Sequence, residues 1–320
     1  MKTPDLPPLQ LKKDQERRLR TGHCWIYSNE VDVAATPLKE LEPGQGVNIL
    51  AHNGKWLGSG YVNPNVLLCA RVVSRDPAHP LDGSLLVHRL KIALGLRERI
   101  YPGPFYRLVF GESDGLPGLV VDRYGDIAVV QITTAGMERF RDDILAAVDK
   151  VLKPAGILLR NDAPVRRLEG LEPYVEEAVG SVPETVELEE GGLRFRADPR
   201  HGQKTGWFFD QADNRERMLR YVRGARVLDV CSYLGGWGVR AAAAGAGAAL
   251  CVDASEAALA GAGELLESAA VCTFQNGLAN AETLAEFVPE KRVYAGTTAH
   301  GATELGPAHV RHAGTGPTRV

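Results

Sequence analysis

The chain has 320 residues, 44% of them hydrophobic and 24% charged, which is enough to bury a sizeable core in two or three domains. The formal net charge of −3 excludes a protein that attracts nucleic acid over its whole surface, so any RNA contact must come from a local basic patch. The first residues lack the apolar core of a signal peptide, and no later run reaches membrane-spanning length, so we expect a cytosolic protein with no membrane partner.

Residues 1–75 are predicted to form a small β-barrel, because short apolar runs alternate there with Gly and Pro turns. A basic cluster precedes these runs and lies beside Trp25 and Tyr27, a combination that suits phosphate contact and base stacking in RNA. A solvated charged face next to ordinary core aromatics would explain the same residues. The candidate RNA-binding residues are Lys12, Lys13, Arg17, Arg18, Arg20 and His23, with Lys204 further along the chain.

Residues 76–104 are predicted to form a connector helix, to which we assign no chemistry, and residues 105–200 an α+β domain. The expected elements of this domain are strands near 106–110, 118–123 and 127–132, a helix near 138–152, a strand at 156–160, and a hairpin of 185–189 and 193–197 around Gly191-Gly192. Arg160, Arg166 and Arg167 could contact a nucleic-acid backbone, and solvated edge positions would explain them equally well.

The polar loop 198–215 carries three bulky aromatic residues and precedes a helix expected near 217–222. An apolar run ending in Asp229 follows, then a turn with Gly235 and Gly236, a helix, and a second apolar run ending in Asp253. This order is typical of the first β-α-β unit of nucleotide-binding folds, in which glycines let the backbone approach the ligand and an acid binds the ribose. The loop could fold over the carboxyl ends of the strands, where ligands bind, or be a surface linker.

Four sequence blocks, in order between residue 9 and about residue 268, resemble one known family. They are Glu16-Arg-Arg-Leu-Arg-Thr-Gly-His23 with Trp25-Ile-Tyr-Ser-Asn-Glu30, Gly111-Glu-Ser-Asp-Gly-Leu-Pro-Gly-Leu-Val-Val-Asp-Arg-Tyr-Gly125, Gly202-Gln-Lys-Thr-Gly-Trp-Phe-Phe-Asp-Gln211 with Asn214-Arg215, and Val227-Leu-Asp-Val-Cys-Ser-Tyr-Leu-Gly-Gly236. The family is the bacterial class I S-adenosylmethionine-dependent ribosomal RNA methyltransferases, one of which makes 5-methylcytosine in large-subunit ribosomal RNA. The resemblance implies an α/β fold with an N-terminal PUA-like β-barrel, an α+β, EEHEE-like central domain and a truncated Rossmann-like methyltransferase domain at 201–270.

The resemblance also implies residue roles. Asp229 and the turn through Ser232, Tyr233, Gly235 and Gly236 would hold the amino-acid end of S-adenosylmethionine, and Asp253 would accept hydrogen bonds from its ribose hydroxyls. The remaining cofactor-binding candidates, which would cover the cofactor, are Gln203, Thr205, Phe208 and Gln211. The PUA-like domain would bind ribosomal RNA, with specificity from an unpaired or flipped-out base.

Two features of the family are missing from this sequence. Methylation at carbon 5 of a pyrimidine needs a cysteine thiolate that adds to the ring, and in the family this cysteine lies well beyond the second strand, after an Asp-Pro-Pro segment. Here no Asp-Pro-Pro occurs, and Cys272 is the only cysteine after Asp253, so the catalytic residues are unknown. Cys231 could serve as a nucleophile, although the family pattern uses that position for packing. We expect the cysteines to be buried small apolar side chains, and their spacing and that of the eight histidines predicts no metal site.

Residues 271–320 resemble a different family, 2-dehydropantoate 2-reductase. The matching stretches are Val271-Cys-Thr-Phe-Gln-Asn-Gly-Leu-Ala-Asn280, Arg292-Val-Tyr-Ala-Gly-Thr-Thr-Ala-His-Gly-Ala302 and His309-Val-Arg-His-Ala-Gly-Thr-Gly316, and Gln275-Asn-Gly277 corresponds to that family's loop near the nicotinamide. The Gly-rich nucleotide turn of the reductase is absent. We therefore expect a composite joined within 264–271, through a gene rearrangement or a sequence-assembly error.

The resulting prediction is an S-adenosylmethionine-dependent methyltransferase of a large-subunit ribosomal RNA base, cytosine carbon 5 in the family, that is catalytically incomplete as written. One alternative is a non-catalytic RNA-binding fragment. A remote alternative is a ketopantoate reductase fragment.

Overall fold

A computed structural model describes residues 4–253, 255 and 258–259, and, as strand backbone alone, residues 270–273, 293–295, 297–298, 301–306, 309–314 and 318–319. The chain separates into two compact units, one of Met1–Val186 with Asp198–Phe209 and one of Glu187–Ala197 with Asp210–Val320. The predicted hairpin groups mostly with the second unit. The limits of the five predicted segments stay a prediction.

The elements of the first unit are strands β1 (Pro8–Gln10), β2 (Trp25–Ile26), β3 (Gln45–Leu50), β4 (Trp56–Val62), β5 (Ala70–Ser74), β6 (Phe105–Phe110), β7 (Leu119–Tyr124), β8 (Ile127–Ile132), β9 (Gly156–Asn161) and β10 (Tyr174–Gly180), and helices α1 (Arg17–Arg20), α2 (Gly83–Ile100), α3 (Ala135–Glu138), α4 (Arg141–Leu152) and α5 (Val165–Leu168). Those of the second are strands β11 (Val186–Glu190), β12 (Leu193–Ala197), β13 (Arg226–Val230), β14 (Ala248–Asp253), β15 (Ala270–Thr273), β16 (Val293–Ala295), β17 (Thr297–Thr298), β18 (Gly301–Gly306), β19 (His309–Gly314) and β20 (Thr318–Arg319), and helices α6 (Ala212–Met218) and α7 (Gly238–Ala243).

The amino-terminal module is a strongly curved five-stranded sheet in the order β1-β3-β4-β5-β2. Its two edges meet, because Leu11, just after β1, bridges to Val31, and the Lys12 N–H donates to the Glu30 carbonyl at 2.9 Å. The enclosed core is apolar and includes Leu9, Ile26 and Ile49. The predicted barrel is therefore confirmed.

The central module is a five-stranded sheet in the order β10-β9-β8-β7-β6, in which only the β8–β9 pair is parallel. α2 and α4 pack on it, and α2 begins after Asp82, whose side chain accepts a hydrogen bond from the Leu85 N–H at 2.7 Å. The predicted strands and helices of this region are confirmed, with ends shifted by a few residues. β10 was not predicted, because its Tyr-Val-Glu-Glu-Ala-Val-Gly sequence is mostly exposed and a bulge at Glu177/Val179 breaks its alternation.

The second unit is built on a parallel sheet in the order β13-β14-β15-β16. α7 connects β13 to β14, which gives the predicted β-α-β unit, and β15 pairs in parallel with β14. The helix predicted near 217–222 was wrong in position, since α6 begins at Ala212 and a 3₁₀ turn follows it at Leu219–Tyr221. Arg215 is buried within α6, and Val222, the last residue of the predicted helix, is buried after the 3₁₀ turn.

Candidate functional site

Asp229 lies near the carboxyl end of β13 and is 8% exposed. Its Oδ2 accepts a hydrogen bond from the Gly238 N–H at 2.9 Å, which ties the strand to the start of α7. A Cβ at Gly238 would lie 2.4 Å from the Cys251 sulfur, so only glycine allows this close contact. Burial raises the pKa of the Asp229 carboxyl, and the neighbouring Asp253 charge adds to this, while the Gly238 N–H and the Arg215 charge oppose it.

The turn after β13 has an unusual backbone. Cys231, Tyr233 and Gly235 have φ values of 61°, 52° and 72°, and the first two are not glycines, so the turn stores strain. The Ser232 N–H donates to the Val252 carbonyl at 3.0 Å, which holds the turn against β14. The Ser232 hydroxyl is buried and has no hydrogen-bond partner within the described part of the chain. A buried hydroxyl without a partner is a site where a ligand could supply one.

Asp253 ends β14 beside this turn. Its Oδ2 accepts from the Tyr233 N–H at 2.7 Å and its Oδ1 from the Ser255 N–H at 2.8 Å. The parallel register pairs Asp229 with Cys251, so the two acids end neighbouring strands at the same edge of the sheet. The structure thus brings together the predicted residues Asp229, Ser232, Tyr233, Gly235, Gly236 and Asp253.

A network of ion pairs joins α7, which follows the turn, to α6 and β11. Glu190, at the end of β11, accepts two 2.6 Å hydrogen bonds from Arg215 of α6 and one of 3.1 Å from Arg240 of α7, and Arg240 also pairs with Glu216. Arg215 and Arg240 are 2% and 3% exposed. The hairpin and both helices therefore form one electrostatic cluster, which the sequence analysis did not identify.

The loop of residues 198–209 is anchored to the central sheet. Thr205 is fully buried, its hydroxyl donates to Asp122 of β7, and the Tyr124 hydroxyl donates to the Thr205 carbonyl at 3.0 Å. Asp122 also holds Arg107 through two hydrogen bonds of 2.8 Å. Thr205 therefore positions this loop through its own contacts in the first unit.

The other predicted residues of this region differ in setting. Lys204 has a φ of 53° and its ammonium lies 4.3 Å from the centre of the Phe208 ring, while Gln203 is exposed. These residues belong to the first unit, whereas Gln211 belongs to the second, where its Oε1 accepts from Asn214 at 3.1 Å. Their assignment to the cofactor stays a prediction.

The basic cluster of the amino-terminal module lies on its surface, around α1. The Arg17 side chain is 78% exposed, and Arg18 and Arg20 are about half exposed. These three arginines pair with the carboxylates of Asp14, Glu30 and Glu16, respectively, while Lys12 donates to the Asn29 carbonyl at 2.8 Å and Lys13 and His23 are exposed. The Arg17–Asp14 pair is exposed, and exposed ion pairs contribute about 0–1 kcal/mol, so a phosphate can replace Asp14 at low cost. The Glu30 side chain that pairs with Arg18 is only 11% exposed.

Arg160 and Arg166 were predicted either to contact a nucleic-acid backbone or to occupy solvated edge positions, and both predictions were wrong for these two residues. Arg160 is 6% exposed and donates to the carbonyls of Pro199 and Gly202 at 2.8 and 3.0 Å. Arg166 is 1% exposed, donates to Glu138 at 2.8 Å and lies over the Tyr174 ring. Their guanidinium groups bind groups that are far away in the sequence, so a local sequence pattern does not reveal this role. Arg167 is exposed.

The cysteines follow the prediction only in part. Cys69 and Cys251 are buried, and burial raises the pKa of each thiol to about 12. Cys24 is half-buried, and Cys231, just after β13, is exposed. The Cys272 side chain lies outside the described residues. Within the described part of the chain, no three His, Cys, Asp or Glu side chains cluster as metal ligands would, and no helix is long and apolar enough to cross a membrane.

Three family descriptions match the sequence. Residues 9–75 match the PUA-like domain, residues 172–264 the S-adenosylmethionine-dependent methyltransferase domain, and residues 253–320 ketopantoate reductase PanE/ApbA. Two separate parts of the chain are thus similar to a PUA-like domain and to an S-adenosylmethionine-dependent methyltransferase domain. The reductase match begins at Asp253, before the predicted junction at 264–271. It overlaps the methyltransferase match over residues 253–264.

Individual proteins agree with these domains. Ribosomal RNA large subunit methyltransferase I of Escherichia coli (strain SMS-3-5 / SECEC) is 36% identical over 255 residues, which cover 78% of this chain and 64% of that enzyme. The chain thus spans less than two thirds of that relative. A protein from Streptococcus mutans that is classed as a SAM-dependent methyltransferase has the same fold, with a TM-score of 0.69. The two are 18% identical, and the match covers 92% of this chain and 86% of that one. A crystal structure of a protein classed as a methyltransferase, complexed with SAH, also has a TM-score of 0.69. It is 20% identical to this chain, and the match covers 91% of this chain and 69% of that one.

Proposed function

We propose that this chain derives from a methyltransferase of large-subunit ribosomal RNA and binds S-adenosylmethionine at the turn between β13 and α7. The observation that carries the proposal is the buried hydroxyl of Ser232, which lies in the turn after β13 and has no hydrogen-bond partner among the described residues. The methyltransferase match covers these residues. When bound, the cofactor supplies an electrophilic methyl group.

The residues of the turn fit this cofactor. Ser232, Tyr233, Gly235 and Gly236 would hold its amino-acid end, and the Asp229 carboxylate would attract the ammonium group. Each oxygen of Asp253 accepts one backbone N–H and keeps a second acceptor position for a ribose hydroxyl. Gln203, Thr205, Phe208 and Gln211 remain proposed cofactor residues, with Thr205 acting by positioning its loop.

Calorimetric titration with S-adenosylmethionine tests this site. Ser232→Ala should weaken binding about five- to ten-fold, because one net hydrogen bond contributes about 1 kcal/mol, and it should not lower thermal stability, because it removes an unpaired buried hydroxyl. Ser59→Ala is the matched control, since the Ser59 hydroxyl is also buried and unpartnered but lies on β4. If both variants bind S-adenosylmethionine as tightly as the unaltered chain, Ser232 does not belong to the cofactor site.

The proposed substrate is large-subunit ribosomal RNA, bound through Lys12, Lys13, Arg17, Arg18, Arg20, His23 and Lys204, with cytosine carbon 5 as the target atom. The support is the PUA-like match together with 36% identity to an enzyme named for this RNA. Titrations at increasing salt should show RNA affinity that falls steeply, as phosphate contacts require. Such a substrate would place the chain in the cytosol.

We further propose that methyl transfer is incomplete in this chain. The sequence has no Asp-Pro-Pro segment, and residues 253–320 match a reductase instead. A labelled methyl-transfer assay on ribosomal RNA should therefore give no product while RNA binding persists, which is the behaviour of a non-catalytic RNA-binding fragment. Robust transfer would contradict this, and Cys231→Ala would then show whether the exposed thiol takes part. NADPH-dependent turnover of ketopantoate is not expected without a phosphate-binding turn.

A further inference from the structure

A groove of about 710 Å³ opens between the end of β5 and the first half of α2. Its wall includes Arg75, Arg89, His79, His88 and Ser84. It lies in the connector to which the sequence analysis assigned no chemistry. Its lining is rich in cationic and hydroxyl groups, which are the groups that bind phosphate.

The two arginines of the groove donate to backbone carbonyls. Arg75 donates to the carbonyls of Leu19 and His23 at 3.2 and 2.7 Å, and Arg89 donates to the carbonyls of Val73 and Gly115. Within the described part of the chain, neither guanidinium lies within ion-pair distance of a carboxylate. Burial lowers the pKa of Arg89, and the Arg75 charge lowers it further, so the two positive charges repel each other across the groove.

One carboxylate, that of Asp76, lines the groove, and it already has hydrogen-bond partners in its own loop. Asp76 accepts from the Ala78 N–H at 2.9 Å and lies 2.9 Å from His79 Nδ1, and both contacts lower its pKa. It therefore stabilises its own loop rather than either arginine. The groove keeps a net positive charge, because two arginines and one carboxylate line it.

The groove is continuous with the basic surface around α1. Arg75 links the two, because it lines the groove and donates to the carbonyls of Leu19, within α1, and His23, just after it. The chain as a whole carries a net charge of −3, so the groove, lined by two arginines and one carboxylate, is a local positive site beside the ion-paired arginines of α1. A polyanion that contacts Arg17 and Arg18 could therefore continue into the groove.

We propose that the groove of Arg75 and Arg89 binds a backbone phosphate of the RNA, as a second contact beyond the α1 surface. The inference rests on the proposed RNA-binding function and deepens it. The groove contributes affinity and orientation rather than sequence recognition, because phosphate contacts position an RNA without reading its bases.

Two substitutions test the groove without removing a structural hydrogen bond. Ser84→Glu and His88→Glu each place a carboxylate at an exposed groove position. Ser84→Glu also puts an acid in the first turn of α2, which favours the helix by about 0.3–1 kcal/mol, so any loss of RNA binding does not come from unfolding. Arg99→Gln is the matched control: it also changes the net charge by one, but Arg99 lies about 22 Å from Ser84 and about 16 Å from His88 along the helix axis.

The measurement is the affinity of the full chain for a ribosomal RNA fragment between about 0.05 and 0.2 M salt, a range over which phosphate contacts change affinity strongly. Each groove variant should bind about five- to ten-fold more weakly near 0.1 M salt and lower the slope of log affinity against log salt by about 0.9, as for one lost contact. Arg99→Gln should leave both nearly unchanged.

A further variant, Lys13→Gln, separates the two hypotheses. If it weakens RNA binding while the groove variants behave like Arg99→Gln, the groove proposal is overturned and the RNA-binding function stands. If the unaltered chain shows no salt-dependent RNA binding, both are overturned.

Discussion

At the scale of single residues, the candidate cofactor site contains two buried acids, Asp229 and Asp253. Asp229 is 8% exposed, and its pKa is raised mainly by burial and secondly by Asp253. A folded-state pKa above the value of about 3.9 for the unfolded chain means that the native protein binds the proton more tightly. The contribution of Asp229 to stability is therefore fully present below the unfolded pKa and is lost as the pH rises through the folded pKa.

We expect Asp229→Asn to raise the melting temperature of the second unit at neutral pH and to abolish most binding of S-adenosylmethionine. The amide removes a buried charge, and its oxygen can still accept the Gly238 N–H. Scanning calorimetry at pH 4 and pH 7 measures the effect, which should shrink at the lower pH. A melting temperature that falls at pH 7 would contradict the cause given for the raised pKa.

Asp253→Asn provides the comparison, with the opposite expected sign. Both oxygens of Asp253 accept backbone N–H groups, and an amide can accept only one of them. The unpaired donor should cost about 1–3 kcal/mol of unfolding free energy. Equal melting temperatures for the two asparagine variants would mean that these hydrogen bonds do not hold the turn.

The sequence predicted the residues whose role follows from their place in a local pattern. Asp229 and Asp253 each end an apolar run, and the glycines follow the first run directly, so their grouping was foreseeable. The roles of Arg160 and Thr205 depend on contacts with Gly202 and Asp122, 42 and 83 residues away. No local period encodes such pairs, which is why Arg160 was misinterpreted and the anchoring of Thr205 to Asp122 was not predicted.

At the scale of elements, the β11–β12 hairpin depends on its glycine turn. Gly191 has a φ of 61°, and a Cβ there would lie 2.4 Å from a guanidinium nitrogen of Arg240. Gly192 has a φ of 78° and open space around it. The hairpin itself was predicted from its alternation, whereas its attachment to Arg240 was not.

Gly191→Ala should destabilise the second unit more than Gly192→Ala. Both substitutions cost about 1–2 kcal/mol because a left-handed backbone disfavours a Cβ, and only the first also displaces the buried Arg240. The difference between the two unfolding free energies measures the contact of the turn with the ion-pair network. Identical losses would show that Arg240 moves aside freely.

The contact between barrel and central sheet is a second case at this scale. Glu169, after α5, accepts from Asn63 at 2.8 Å and pairs with Arg71 of β5 at 3.1 Å, and both carboxylate and guanidinium are nearly buried. Tyr61 of β4 donates to the Pro117 carbonyl at 2.8 Å, and its ring occupies the space where a side chain at Gly136 would be. These contacts join the two modules of the first unit rigidly.

Glu169→Ala should lower the unfolding free energy of the first unit by about 3–5 kcal/mol, because it leaves Arg71 buried without its main partner. The control is Glu42→Ala, whose partner Arg139 is 44% exposed and whose loss should cost below about 1 kcal/mol. Chemical denaturation followed by tryptophan fluorescence distinguishes them, and similar midpoints would argue against a rigid junction of the modules.

At the scale of the whole molecule, two family patterns share one sheet. The methyltransferase match ends at residue 264, and β15 and β16 lie in the segment that matches the reductase, yet they continue the parallel order of β13 and β14. Both families alternate strands and helices, so a strand of one can pair with a strand of the other through the backbone alone. β13 remains an edge strand, with Leu228 and Val230 63% and 61% exposed, which makes the second unit prone to association.

If β15 truly completes the sheet, its backbone must matter to the stability of the site. β15 lies between β14 and β16, with Val271 opposite Cys251 and Val293. Val271→Pro removes an N–H from an interior ladder and should cost the second unit at least about 1–3 kcal/mol, with weaker binding of S-adenosylmethionine because Asp253 lies on the adjoining strand. Val271→Ala keeps the N–H and serves as the control, and the melting of the first unit should be the same in both. If the proline variant melts and binds the cofactor like the alanine variant, the reductase-like segment does not extend the sheet, and the cofactor turn stands on β13 and β14 alone.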